Sequence, residues 1–439
     1  MSLPAAVAPF RKTEVPGPRS RELSARLSAV ECPAFDARRE AREKSSGEDQ
    51  GPIVLSHGEG DVVWDVDGNA FVDLVAGFGA LVLGHAPKSV VGAFCSSAER
   101  LPLALGDVYA SEAKVRLCEA LAALFPEPGA RVMLGLSGAD AVTAALKTAV
   151  LTTKKPGVIA FSGAYHGLSH GPLAACGLAP TFREPFAAQL GDHVTFAPYP
   201  SDAAELDASL SAVERSLRKG DVGLVLVEPL LGRGGCVVPP PSFLQELRAL
   251  ATQHGALLAA DEIWTGLGRS GAMLASIAAS DGSWAPDLVC LGKALGAGFS
   301  ISACIGRASA FEAWGAHGGT AIHTATHFGA PPACEAALAA LSEIARLALP
   351  ERARKLGRVL LRELTESGFL VTGQGLMLGV DLRTPAHALA VGRRLLAEGW
   401  VVLTGGIAGN ILTLSPALTL SEHHVSPFVA ALRRASEVD

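Results

Sequence analysis

From residue 58 to about residue 420, short runs of apolar and β-branched residues alternate with longer stretches of helical periodicity. The clearest strands run from Arg131 to Leu136, Gly157 to Phe161, His193 to Phe196, Gly223 to Val227, Ala256 to Ala260, Leu288 to Leu291 and Ile301 to Ile305. Helical periodicity marks Ser111 to Phe125, Ala139 to Leu151, Ser242 to His254 and Cys334 to Leu349. This alternation predicts an α/β domain on a mainly parallel sheet. The strands are nearly all apolar, so both sheet faces are expected to be covered. Asp61 to Trp64 and Ala70 to Leu74 read as two strands joined at Asp67-Gly68-Asn69, because Asp-Gly and Gly-Asn favour tight turns. Toward the C-terminus, long helices mix with strands near Leu376 to Leu382 and Asn410 to Leu414, which predicts a second, smaller α+β domain. The expected division is an arm or linker over 1–50, a small domain from 51–105 with 335–439, and a large domain over 106–334. Within the arm, Ser20 to Val30 predicts one amphipathic helix, and Glu40 to Gln50 a mobile polar segment.

Composition narrows the function classes. Of the 439 residues, 49% are apolar and 18% charged, the opposite of a disordered chain. A net charge of −6 gives no bulk electrostatic case for a nucleic-acid or membrane-surface partner. The longest stretch without Asp, Glu, Lys or Arg, Pro156 to Phe182, is too broken by glycine and proline to span a bilayer. Met1 to Pro18 lacks the apolar core of a signal peptide. The eight cysteines include no CxxC pair, so neither a disulfide framework nor a zinc site is expected. Together these features predict a soluble, cytoplasmic protein.

In doubly wound sheets, ligands bind at the carboxyl ends of the strands. Leu288 to Leu291 is followed by Gly292-Lys293-Ala294, a lysine with room around its amine. It is not a Walker lysine, because GxxxxGK and a following Ser or Thr are missing. Ala256 to Ala260 ends in Asp261-Glu262-Ile263, which sets at least one carboxylate near the ligand edge unless both serve as a cap or ion pair. Arg131 to Leu136 runs into Ser137-Gly138-Ala139-Asp140, the signature of a helix N-terminus, whose free N–H groups suit a phosphate. Gly157 to Phe161 leads to Tyr165 among glycines, an aromatic able to lie against a planar ring or to pack in an ordinary turn. Gly266 to Gly271 matches GxGxxG, but no helix opens there and no ribose-binding acid follows at the required distance. The pairs His166/His170 and His323/His327 lack a metalloprotease pattern and are not read as metal ligands. An amine, a carboxylate, a helix N-terminus and an aromatic are together what pyridoxal phosphate requires.

The chain resembles the class III aminotransferases, a pyridoxal-phosphate family of fold type I. Eight segments match in order: DVDGNAFVDLVAGFGALVLGHAP, LSGADAVTAALKTA, VIAFSGAYHG, VEPLLGRGG, DEIWTGLGRSG, PDLVCLGKALGAG, HTATHFGAPPA and GQGLMLGVDL. The resemblance implies a large domain with a mainly parallel seven-stranded sheet, pyridoxal 5'-phosphate as cofactor, and a homodimer. It implies Lys293 as the Schiff-base lysine, Asp261 as partner of the pyridine nitrogen, and Ile263 and Tyr165 on the two ring faces. Gly138 and Ala139 match the phosphate-binding pair, Ala139 offering a backbone N–H but no hydroxyl. Thr326 matches a threonine that reaches the neighbouring subunit's phosphate. Glu228 matches a pocket glutamate, and Phe78 an aromatic near the substrate. Two departures stand out. Thr413 occupies the place of an arginine that pairs with the substrate carboxylate or with the pocket glutamate. His327-Phe328-Gly329-Ala330-Pro331 stands where the family reads Phe-x-Gly-Asn-Pro. The expected activity is amino-group transfer between an amine or amino acid and a carbonyl acceptor. The alternative is a racemase or epimerase, since relatives of that kind share these motifs and can lack the arginine. A non-catalytic regulator would need a DNA-binding module, which residues 1–50 are too short to supply.

Overall fold

The computed structural model describes residues 8–280, 282–316 and 319–437, so the first seven residues of the expected arm lie outside it. Its central sheet has seven strands: β1 (Arg131–Gly135), β2 (Gly157–Phe161), β3 (Val194–Ala197), β4 (Val222–Val227), β5 (Leu257–Asp261), β6 (Leu288–Leu291) and β7 (Ser302–Gly306). Their spatial order is β1-β7-β6-β5-β4-β2-β3. Only β7 runs against its neighbours, pairing antiparallel with β1 and β6. The mainly parallel α/β sheet expected from the sequence is therefore present.

β4 shows why these strands read as unbroken apolar runs. Successive side chains point to opposite faces. Val225 and Val227 pack with Phe243 and Leu247 on one side. Leu224 and Leu226 pack with Ala141 and Ala145 on the other. The second layer includes the helix Gly138–Thr153, and the first the helix Phe243–Gln253.

Two smaller sheets flank this core. Leu55–Glu59, Val62–Asp65 and Ala70–Asp73 form antiparallel neighbours, and Trp400–Val401 joins Ala70–Asp73 in parallel. An early segment and a late segment of the chain thus share one sheet. Leu370–Gln374, Met377–Asp381, Ile411–Leu414 and Leu403–Gly405 form an antiparallel sheet in that order. The helix expected over Cys334 to Leu349 instead runs Pro331–Arg346, and a new helix starts at Leu349 after Ala348 turns left-handed (φ 48°).

The N-terminal region corrects one expectation. Glu40 to Gln50 is not a free polar linker. Most of it belongs to the helix Ala34–Ser46, closed by left-handed Gly47 (φ 70°), and that helix packs on the helix Pro385–Ala397. Arg393 and Arg394 anchor the following turn through Asp49 at 3.3 Å and Glu48 at 3.2 Å. Apart from Phe35 its apolar residues are only alanines, which leaves little apolar stripe for periodicity to find. The other predicted helix is present as Pro18–Ser28, with Asp67 accepting from the Arg19 and Ser20 N–H groups. No helix among the described residues is long and apolar enough to cross a membrane.

Candidate active site

Five strand ends deliver the candidate residues to one edge of the sheet: Gly138 and Ala139 beyond β1, Tyr165 beyond β2, Glu228 beyond β4, Asp261 on β5 and Lys293 beyond β6. At β5 the adjacent carboxylates separate, as alternating side chains must. Asp261 is buried, with its Oδ2 2.7 Å from His166 Nδ1 and its Oδ1 accepting the Ile263 N–H at 3.1 Å. Glu262 turns into the protein and caps the helix Ala275–Ala278, accepting from the N–H groups of Ala275 at 2.7 Å and Ser276 at 2.8 Å.

The glycines show how tightly the remaining parts converge. A Cβ on Gly138 would come within 2.7 Å of Ile263 Cδ1, and one on Gly292 within 3.3 Å of Ile263 Cγ2. A Cβ on Gly167 would meet that of Ala139 at 3.0 Å. The helix N-terminus, Ile263, the glycine before Lys293 and the loop carrying Tyr165 and His166 therefore form one cradle. Ser137 and Asp140 close a capping box there. The N–H groups of Gly138 and Ala139, at the first helical positions, have no carbonyl one turn back to donate to.

Lys293 is held at φ +38°, a left-handed conformation uncommon for a lysine. Its Nζ lies 4.1 Å from the centroid of the Trp264 ring. Burial pulls its pKa down to about 8, against the opposing pull of Asp261 and Glu228. Glu228 is buried and accepts the N–H groups of Tyr165 at 2.6 Å and Gly232 at 2.8 Å. Burial, aided by Asp261, pushes its pKa up to about 7. Burial lowers the pKa of His166, but its bond to Asp261 outweighs this and raises the value overall.

Phe78 and Thr326 are both exposed, and neither side chain makes a hydrogen bond or ring contact among the described residues. Thr413 is buried on the strand Ile411–Leu414, opposite Gly379 and Leu403. The two imidazoles four apart in sequence diverge: His166 meets Asp261, whereas His170 meets Gln189 at 2.7 Å.

Three residues at this edge escaped the sequence reading. His166 is the hydrogen-bond partner of Asp261, and its only signal was its place beside Tyr165. Trp264 follows Ile263 and stands against Lys293. Arg233, in the segment VEPLLGRGG, lays its guanidinium over the Tyr165 ring at 4.5 Å from the centroid.

These groups fit pyridoxal phosphate on geometry and donor chemistry. A part-buried amine of lowered pKa, an imidazole-held carboxylate, a glycine cradle and a phosphate-ready helix end share one sheet edge. Such a site on a sheet of this order belongs to the fold type I pyridoxal-phosphate enzymes. The chain itself belongs to the class III aminotransferases: the model of that family, aminotransferase class-III, matches residues 44–435. Acetylornithine aminotransferase of Methanopyrus kandleri is 36% identical over 389 residues, covering 88% of this chain and 94% of that protein. Its counterpart in Mycobacterium tuberculosis is 37% identical, covering 87% and 91%. Among solved structures, an amine transaminase from an uncultivated Pseudomonas species, in its cofactor-bound form, has a TM-score of 0.80 and 28% identity over 88% of this chain and 94% of its own. Ornithine aminotransferase from Toxoplasma gondii has a TM-score of 0.78 and 29% identity over 88% and 90%. The protein is a pyridoxal-phosphate-dependent aminotransferase acting on small amine and carbonyl substrates, and the racemase alternative falls.

Proposed function

We propose that this aminotransferase takes its amino group from a terminal amine, on a carbon remote from any carboxylate, and works by a ping-pong cycle. The observation that carries the reading is Thr413 in the family arginine's place: a hydroxyl cannot make the bidentate contact that fixes an α-carboxylate beside the reacting carbon. Relatives named for ornithine and acetylornithine, and an amine transaminase among the structural neighbours, support it.

When bound, the cofactor supplies an electron sink for the carbon that loses its proton. In this reading Lys293 is the residue that would hold the cofactor, and its amine is the group placed to take the proton from the substrate carbon. Asp261 would pair with the ring nitrogen, while His166 fixes the orientation of that carboxylate. The N–H groups of Gly138 and Ala139 hold the phosphate. Ile263 and Tyr165 would flank the ring, and Glu228 and Phe78 would line the substrate side. Thr326 completes the site of a second copy, so the working unit is a homodimer. We place the enzyme in the cytoplasm, in keeping with its cysteine usage. We also keep the division into 51–105 with 335–439, and 106–334; the sheet shared by Trp400–Val401 and Ala70–Asp73 supports it.

Two measurements test the reading. Borohydride treatment should fix the cofactor to the peptide carrying Lys293, and labelling at another lysine would refute that role. With a terminal amine as donor and no acceptor present, each site should release one equivalent of carbonyl product. Equally efficient turnover of alanine and glutamate would sink the proposed donor class.

A further inference from the structure

The described residues offer Arg233 no ion-pair partner. Its guanidinium stacks over Tyr165 at 4.5 Å and lies 5.9 Å from the Phe182 ring centroid. Stacking engages the face of a guanidinium and leaves its edge, with the N–H donors, free for a planar anion. The backbone of Arg233 borders the strand region where Thr413 replaces the family arginine. Its carbonyl accepts the Gly406 N–H at 2.9 Å. A Cβ on neighbouring Gly405 would stand 2.5 Å from Thr413 Oγ1 and 3.7 Å from the Arg233 carbonyl oxygen. The strand that lacks the arginine at 413 thus lies beside the loop that carries Arg233.

A second arginine, on the N-terminal helix, is electrostatically linked to Arg233. Arg42 is part-buried on Ala34–Ser46, forms no ion pair among the described residues, and lies within electrostatic reach of Arg233. Burial, then the charges of Arg38 and Arg233, disfavour its charged form. Positive charges gathered beside a site attract and orient anions. The two acids of the site are committed elsewhere: Glu228 to the N–H groups of Tyr165 and Gly232, Asp261 to His166.

We infer that Arg233, backed by Arg42, recognises the remote carboxylate of an ω-amino acid substrate and sets the specificity of this enzyme. The inference rests on the terminal-amine reading above. Arg233 is a substrate-recognition residue, and Arg42 a positioning residue that strengthens the field around it.

The experiment compares 5-aminopentanoate with pentylamine, which lacks only the carboxylate, as donors to the holoenzyme. Glutarate serves as an unreactive carboxylate probe. The wild-type enzyme should prefer 5-aminopentanoate in kcat/KM. Arg233→Met should erode that preference by about tenfold or more, chiefly through KM, and weaken glutarate inhibition in parallel. Arg233→Lys, which keeps the charge but not the planar fork, should fall between them. Arg42→Met should raise KM for 5-aminopentanoate more than for pentylamine, and it decides the matter if Arg233→Met does not fold. An equal loss with both donors, or unchanged glutarate inhibition, would assign Arg233 a merely structural role and overturn the inference. Failure of the wild-type enzyme to accept either donor would refute the terminal-amine reading. Equal wild-type efficiency with both donors would refute the inference alone.

Discussion

His166 Nδ1 and Asp261 Oδ2 lie 2.7 Å apart, and both side chains are buried. The pair joins the loop after β2 to the end of β5. The remaining ring nitrogen of His166 is buried and finds no partner among the described residues. A buried carboxylate that loses such a donor loses both its orientation and part of the stabilisation of its charge. His166→Phe should therefore weaken pyridoxal-phosphate binding by about tenfold or more, the usual scale for a hydrogen bond to a charged group. Spectrophotometric titration of the cofactor-free protein measures this. An unchanged affinity, with an unchanged absorption maximum of the bound cofactor, would show that Asp261 needs no imidazole.

Lys293 gives a pH prediction. Only the neutral amine attacks a carbonyl, and burial brings the pKa of this one down to about 8. The rate at which cofactor-free protein captures pyridoxal phosphate should rise with pH through about 8 and then level off, not climb toward the ordinary lysine value of 10.5. The stability consequence has a definite sign. Between those two values the unfolded chain binds more protons at this site than the native one, so stability gains from rising pH. Lys293→Met should lose that gain, as paired melting curves at pH 8 and pH 10 would reveal. A capture rate still climbing steeply above pH 9 would contradict the lowered pKa.

The parts of this site that could be read in sequence are those set by local rules. Asp261 and Lys293 follow short apolar runs, and a strand end in a parallel sheet is where ligands bind. Gly138 follows a Ser and precedes an acid, the pattern of a helix start. Arg233 and Trp264 obey no such rule. Their partners, Tyr165 and Lys293, stand 68 and 29 positions away, and only the sheet order brings them near. His166 was visible only by its place beside Tyr165, because its carboxylate is 95 residues distant. The helix Ala34–Ser46 escaped because its support comes from Pro385–Ala397, not from an apolar stripe of its own. Phe78 and Thr326 are matched by resemblance alone, since their place on an exposed surface of one chain gives them no partner to read.

Arg269 tests what holds these layers in register. It is fully buried with no carboxylate partner among the described residues, and burial lowers its pKa to about 9. Its guanidinium donates to the carbonyls of Leu376 at 2.9 Å, Pro416 and Gly79 at 3.4 Å, three segments far apart in sequence. One side chain thereby ties the turn after β5 to the C-terminal antiparallel sheet and to the segment carrying Phe78. Arg269→Leu keeps the apolar stem but leaves those carbonyls buried and unpaired, at about 1–3 kcal/mol for each group so stranded. Chemical denaturation should record a loss of at least about 2 kcal/mol on that basis. Arg269→Lys should recover only part of it, because a single ammonium on a flexible stem cannot match the planar fork. Because the carbonyl of Gly79 belongs to the segment carrying Phe78, both variants should also raise KM for the amine donor more than they lower kcat. A variant of wild-type stability would mean that the three carbonyls find other donors, and that the register of the sheets is set by apolar packing alone.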